Sequence, residues 1–197
     1  MTKEIAPKAD TPIISFTSSK QWERWLSKNH AKSNGIWLHY YKKDSGVKSV
    51  KSAEAIDEAL CYGWIDGQAK KYDEKSWLNK FTPRRKASLW SKRNRENVER
   101  LISSGKMTDA GLKEVEAAKS DGRWDRAYDS PSTMEVPEDF LKELSKNIKA
   151  KKFFDTLNKA NLYAITWRLQ TAKKQETRDR WKKKILEMLK NEVKFHD

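Results

Sequence analysis

Between Glu54 and Asn94 the hydrophobic period changes twice, and this limits what the chain can fold into. Ala53, Ile56, Leu60 and Trp64 recur at helical spacing, which predicts an amphipathic helix with Glu54 in its first turn and Ser52 as its cap. That helix is expected to close at Trp64-Ile65-Asp66-Gly67, with a turn at Asp66-Gly67. Gln68–Tyr72 and Ser76–Phe81 then flank the polar Asp73-Glu74-Lys75 and read as a β-hairpin. Pro83 stops it, because proline cannot donate to a ladder. Ser91 caps a second helix.

The rest of the chain builds outward from this segment. Residues 1–11 are polar and contain Pro7, so they read as a flexible arm. Ile13, Ile14 and Phe16 form a short extended segment. Ser18 with Gln21 has capping-box spacing, and Trp22, Trp25 and Leu26 share the face of the helix that follows. Ile36–Tyr41 (IWLHYY) is the best strand: Ile36, Leu38 and Tyr40 face one way, Trp37, His39 and Tyr41 the other. Both faces are apolar or amphipathic, so cover is expected on both.

After the hairpin, four or five helices are expected. Their apolar faces carry Val98, Leu101 and Ile102, then Leu112, Val115 and Ala118. Beyond the loop 123–134 come Phe140, Leu141 and Leu144, then Phe153, Phe154 and Leu157, then Leu162, Ile165, Thr166 and Leu169, and last Trp181, Ile185, Met188 and Leu189. The fold class is α+β: a small sheet of about three strands packed by helices, followed by a mostly helical C-terminal half. The expected organisation is an arm over 1–11, an α+β core over 12–128 and a helical subdomain over 129–197.

Composition excludes several classes. The single cysteine, Cys61, rules out an internal disulfide and any Cys-cluster metal site, and its place near a helix stripe makes it a small buried hydrophobe. His30, His39 and His196 are far apart and none has a partner at i+4. Walker, GxGxxG and GxSxG motifs are absent, so no cofactor or catalytic motif is identified. No apolar run approaches the ~20 residues of a membrane span, and the N-terminus lacks a signal-type segment, so a cytoplasmic location is expected. The formal net charge of +14 points to an anionic small molecule, an acidic protein or nucleic acid as candidate partner. Solubility alone also accounts for excess lysine. The oligomeric state is not legible.

The candidate site is the place where the hairpin's ends return to each other. Asp66 enters from one end, Arg84 and Arg85 from the other. One reading is a structural ion pair. The other is an anion site with an arginine left to form a bidentate pair, helped by Ser91, Asn94 and the helix N-terminus, beside Trp64 and Trp90. A further alternative makes Asp66 an acid or base. From Gly67 to Arg95 ten Lys/Arg stand against two Asp/Glu, a net +8, with Tyr72, Trp77, Phe81 and Trp90 interleaved. Cations beside rings suit single-stranded nucleic acid, although the same rings fit a core.

The runs ALCYGWIDG (59–67), FTPRR (81–85), SLWSKRN (88–94), GKMTDAGLKEVEAAKSDGRWDRAY (105–128) and ITWRLQTAKKQETRDRW (165–181) resemble the YdeI/OmpD-associated family. The resemblance runs over nearly the whole chain from Phe16. It implies a bacteriocin-protection or porin-associated role and carries no reaction, cofactor or catalytic residue with it. The family pattern emphasises Trp64, Asp66, Pro83, Arg84, Arg85, Ser88, Trp90, Ser91 and Asn94. The function expected is therefore a non-enzymatic cytoplasmic stress or bacteriocin-tolerance protein that binds an anionic ligand or partner.

Overall fold

A computed structural model describes residues 11–130 and 133–196. The expected N-terminal arm lies outside them but for Thr11. The described residues divide into two compact units. The first runs to Trp90 and resumes over Asn94–Arg126; the second takes Ser91–Arg93 and everything from Ala127. Among the described residues no helix is long and apolar enough to cross a membrane.

The first unit is an α+β layer. Its elements are β1 (Ile13–Ser15), α1 (Ser19–Asn29), β2 (Ile36–Tyr41), α2 (Ser52–Cys61), β3 (Trp64–Lys71), β4 (Ser76–Pro83), α3 (Lys92–Ser103) and α4 (Asp109–Ser120). The sheet has four strands rather than about three, in the order β1-β2-β4-β3. β1 runs parallel to β2, and the other pairs are antiparallel.

Half of the capping box expected at α1 forms: the Ser18 side chain accepts from the Gln21 N–H, while the Gln21 side-chain oxygen accepts from the Thr17 N–H rather than from Ser18. It buries Trp22 and Leu26. The Trp22 ring meets Phe16 at 5.3 Å, Trp25 at 5.3 Å and Phe81 at 5.6 Å. Its indole N–H donates to the Ala55 carbonyl at 3.0 Å, which ties α1 to α2. A buried indole thus fills space and meets its one polar obligation.

Three local expectations are corrected. The cap of α2 is Lys51, not Ser52, and the Glu54 carboxylate accepts from the Lys51 N–H at 3.4 Å. The helix stops at Cys61, so Trp64 and Asp66 belong to β3 and not to a helix end. Gly63 makes the stop, with φ +72° and no room for a Cβ, which would lie 2.9 Å from the Ala110 carbonyl oxygen. Gly111 allows the same close approach from the other side, since a Cβ there would fall 2.4 Å from the Cys61 oxygen. Lastly, Asp66-Gly67 is not a turn. Asp66 pairs with Phe81 and Ala69 with Asn79, so β3 carries one extra residue, a β-bulge.

Helices α1 and α2 cover one face of the sheet. The apolar cluster under α1 and α2 holds Ile36, Leu38, Tyr40, Trp64 and Phe81. Trp37, His39 and Tyr41 are outside that cluster and only half-buried. Ile13, beside Trp37 in β1, is 48% exposed. On the second face Leu78 and Ser76 are buried beside half-buried His39 and Tyr41, while α3 and α4 join the α2 side: Arg100 of α3 pairs with Asp57 at 2.7 Å, and Thr108 before α4 donates to the Cys61 carbonyl at 2.6 Å. Ile102, expected on the apolar face of α3, is exposed.

The second unit is helical: α5 (Glu138–Leu144), α6 (Ile148–Phe154), α7 (Lys159–Thr171) and α8 (Gln175–Lys190). With α3 and α4, six helices follow the hairpin among the described residues, instead of four or five. Its core joins Phe140, Leu144, Phe154, Ile165, Leu169, Ile185 and Leu189, the positions the helical period singles out. Buried Asn161 holds the C-terminal segment, donating to the His196 carbonyl at 3.0 Å and accepting from the Phe195 N–H at 2.9 Å.

Candidate functional site

The β3–β4 hairpin has two chemically similar ends, and the structure treats them differently. At the end where β3 begins and β4 finishes, which packing closes to solvent, Trp64 pairs with Pro83, and the Arg84 N–H donates to the Gly63 carbonyl at 2.9 Å. The hairpin does bring its flanks together. Trp64 is 1% exposed, and its indole donates to the His30 carbonyl at 3.1 Å. Arg84 is 7% exposed; its guanidinium lies 3.5 Å from the Trp90 ring centre and donates to the Leu89 carbonyl at 3.2 Å. Trp90, 1% exposed, meets Trp124 edge-on at 5.0 Å, and Arg95 covers Trp124 from 5.2 Å. Cations and indoles here form a ladder inside the first unit.

The other candidate residues are not part of that ladder. Arg85 is exposed, and its N–H donates to the Ser88 hydroxyl at 2.9 Å. Asp66 is half-buried on the helix-covered face, opposite Phe81. The Tyr40 hydroxyl is held well above its ordinary pKa, first by burial and then by the Asp66 carboxylate. Asn94 is half-buried near the start of α3. Ser91 precedes that helix and is bridged to Tyr128 within the second unit.

At the turn end, which is open to solvent, the same chemistry faces outward. An open cleft of about 380 Å³ is lined by Lys42, Ala69, Lys70, Lys71, Ser76 and Trp77. Its volume is in the range of small-molecule sites. Trp77 stacks on Tyr40 at 5.1 Å with the rings 10° from parallel, so its indole is a rigid wall. Lys71 pairs with Glu74. Lys70 lies over the exposed-side Trp37 ring at 4.3 Å, and Lys80 over the same ring at 5.6 Å. A cation over a surface ring is worth about 0.5–1 kcal/mol, so these ammoniums can be displaced.

Sequence reasoning weighed Trp77 and Tyr72 in the basic segment but named none of Lys42, Lys70, Lys71 or Trp77 as site residues. Lys42 sits 28 positions before Lys70 in the sequence and reaches the cleft only through the β2–β4 register, in which Tyr41 opposes Ser76. A second open groove, about 500 Å³, runs along α8 and includes Arg180, Lys183, Lys184, Met188 and Val193. Burial, then the Glu58 and Asp57 carboxylates, push the Cys61 thiol up to about 12, which keeps it protonated and poorly nucleophilic at neutral pH. Among the described residues no three His, Cys, Asp or Glu side chains converge as a metal site.

The fold and these surfaces define an α+β protein with a basic, aromatic sheet unit and a separate helical unit. The chain belongs to the family described as a domain of unknown function (DUF8412), whose model matches residues 14–114, and its residues 133–192 match the family described as Bacteriocin-protection, YdeI or OmpD-Associated. The YdeI/OmpD-associated match is narrower than the resemblance read from the sequence. It falls on α5–α8, whereas ALCYGWIDG, FTPRR and SLWSKRN lie in the other family's segment. No curated protein and no solved structure matches the chain.

Proposed function

We propose that this protein is a non-enzymatic bacteriocin-tolerance or stress protein of the cytoplasm that works by holding an anionic ligand or partner. The observation that carries the reading is the cleft at the open end of the hairpin: about 380 Å³, walled by Trp77 and edged by Lys42, Lys70 and Lys71. Ammonium groups supply charge as mobile point donors, and an indole supplies a flat apolar wall. That combination suits a small anion with a planar part, or an acidic segment.

A second place for an anion is the loop after β4, which exposed Arg85 favours. Here Arg84, Trp64 and Trp90 would set the frame, with Asp66 and Asn94 around it.

A thermal-shift screen with inorganic phosphate, adenosine monophosphate and dicarboxylates at low salt tests both. Stabilisation that is lost in Lys42→Ala/Lys70→Ala and kept in Arg85→Ala supports the cleft. The reverse pattern supports the loop. No shift with any anion at low salt contradicts the reading.

A further inference from the structure

We propose that the face of the four-stranded sheet turned away from α1 and α2 is a platform for single-stranded nucleic acid, with bases stacking on Trp37, Tyr41 and Tyr72 and phosphates meeting Lys70 and Lys80. The proposal rests on the anionic-partner reading and names the partner.

The register places the rings. In β2, Trp37, His39 and Tyr41 alternate onto the face turned away from α1 and α2. Opposite them in β4 stand Lys80, Leu78 and Ser76, and Lys70 of β3 stands opposite Leu78. Tyr72 continues the row at the end of the hairpin and is 53% exposed. The His39 ring lies 4.5 Å from Tyr41 and 4.8 Å from Tyr72. Leu78, fully buried, gives this row an apolar floor. The result is a nearly continuous aromatic strip with Lys70 and Lys80 gathered at its Trp37 end.

Lysine placement identifies the ligand as an anion that carries rings. Lys70 and Lys80 rest over the Trp37 ring, where a cation sits in the absence of a better partner. A base stacks on an indole more strongly than an exposed ammonium holds to it. Arrival of a base would free both lysines for the flanking phosphates. An acidic protein offers carboxylates but few rings. A duplex hides its base faces in its own stack. Single strands present both groups, and a four-stranded sheet with surface aromatics is a geometry that takes them.

The test is fluorescence anisotropy with a fluorescein-labelled oligodeoxythymidine of about 15 nucleotides, long enough for a site of the usual size. Trp37→Leu and Tyr72→Leu should each weaken binding about tenfold, with Tyr72→Phe like wild type, because stacking needs the ring and not the hydroxyl. Lys70→Ala/Lys80→Ala should flatten the dependence of log affinity on log salt by about 1.4, the release expected for two phosphates on a single strand. Tyr72 lies on the surface at the turn, so its variants should melt with the wild type and the comparison does not depend on folding.

Equal affinity for a duplex of the same length would overturn the proposal. So would wild-type binding by both leucine variants alongside weakening in the lysine variant, since charge alone would then explain the binding. Absence of oligonucleotide binding while phosphate or adenosine monophosphate still raises the melting temperature would overturn the platform and leave the anionic-ligand reading standing.

Discussion

The two ends of the β3–β4 hairpin use the same residue types for different purposes. At the closed end Arg84 lies 3.5 Å over Trp90, and both are buried. At the open end Lys70 lies 4.3 Å over Trp37, which is half-buried, and both lysine and ring reach solvent. Arginine is the weakly hydrated cation whose planar group tolerates burial against a ring. Lysine is strongly hydrated and stays at the surface, with its stem on apolar area. A basic-aromatic pair therefore marks a core or a binding surface according to which cation it uses and what lies on the ring's other side. For Trp90 that is Trp124, inside the core; Trp37 is only half-buried, on the face turned away from α1 and α2.

Substitutions can break or sharpen this contrast. The largest effect is expected for Trp90→Ala, which removes a fully buried indole between Arg84 and Trp124 and should cost about 3–5 kcal/mol in denaturant unfolding. Arg84→Met keeps the stem and removes the stacked guanidinium and its bond to Leu89. A loss of about 1–3 kcal/mol is expected. If either variant unfolded like wild type, the closed end would not be the interior ladder described.

Lys42→Ala/Lys70→Ala at the open end should change stability by no more than about 0.5 kcal/mol, as surface changes do, while abolishing anion-induced stabilisation. A control comes from a site far from the hairpin in sequence. Asp139 of α5 is held well below the usual carboxylate range by hydrogen bonds from Arg178 and Lys182 of α8. Its folded-state pKa is depressed, so its contribution is full above the ordinary carboxylate value and fades as pH falls through the lowered one. The group is half-exposed, so solvent screening limits Asp139→Asn to about 0.5–1 kcal/mol at neutral pH. The difference between variant and wild type should vanish on acidification.

Much of the fold was legible because it rests on local signals. Ser18 with Gln21, the IWLHYY strand and the helical periods of α5–α8 appear where the residues put them. The elements that failed depend on non-local contacts. Gly63 stops α2 because α4 crosses it, and nothing near Gly63 announces Ala110. The extra residue between Asp66 and Ala69 decides which β3 side chains share a face with Tyr40 and which with His39. Without that register, Arg84 and Arg85 look alike, yet one is buried and its neighbour exposed. Lys42, Lys70 and Trp77 carried the right chemistry in the sequence but no sign that they would meet.

The contrast is tested most directly by following the tryptophan indole N–H signals in a heteronuclear NMR titration with adenosine monophosphate. Trp77 and Trp37 should move in a saturable way while Trp64 and Trp90 stay in place. Movement of Trp90 with Trp77 and Trp37 fixed would mean that the arginine end is the binding surface and the lysine end is not.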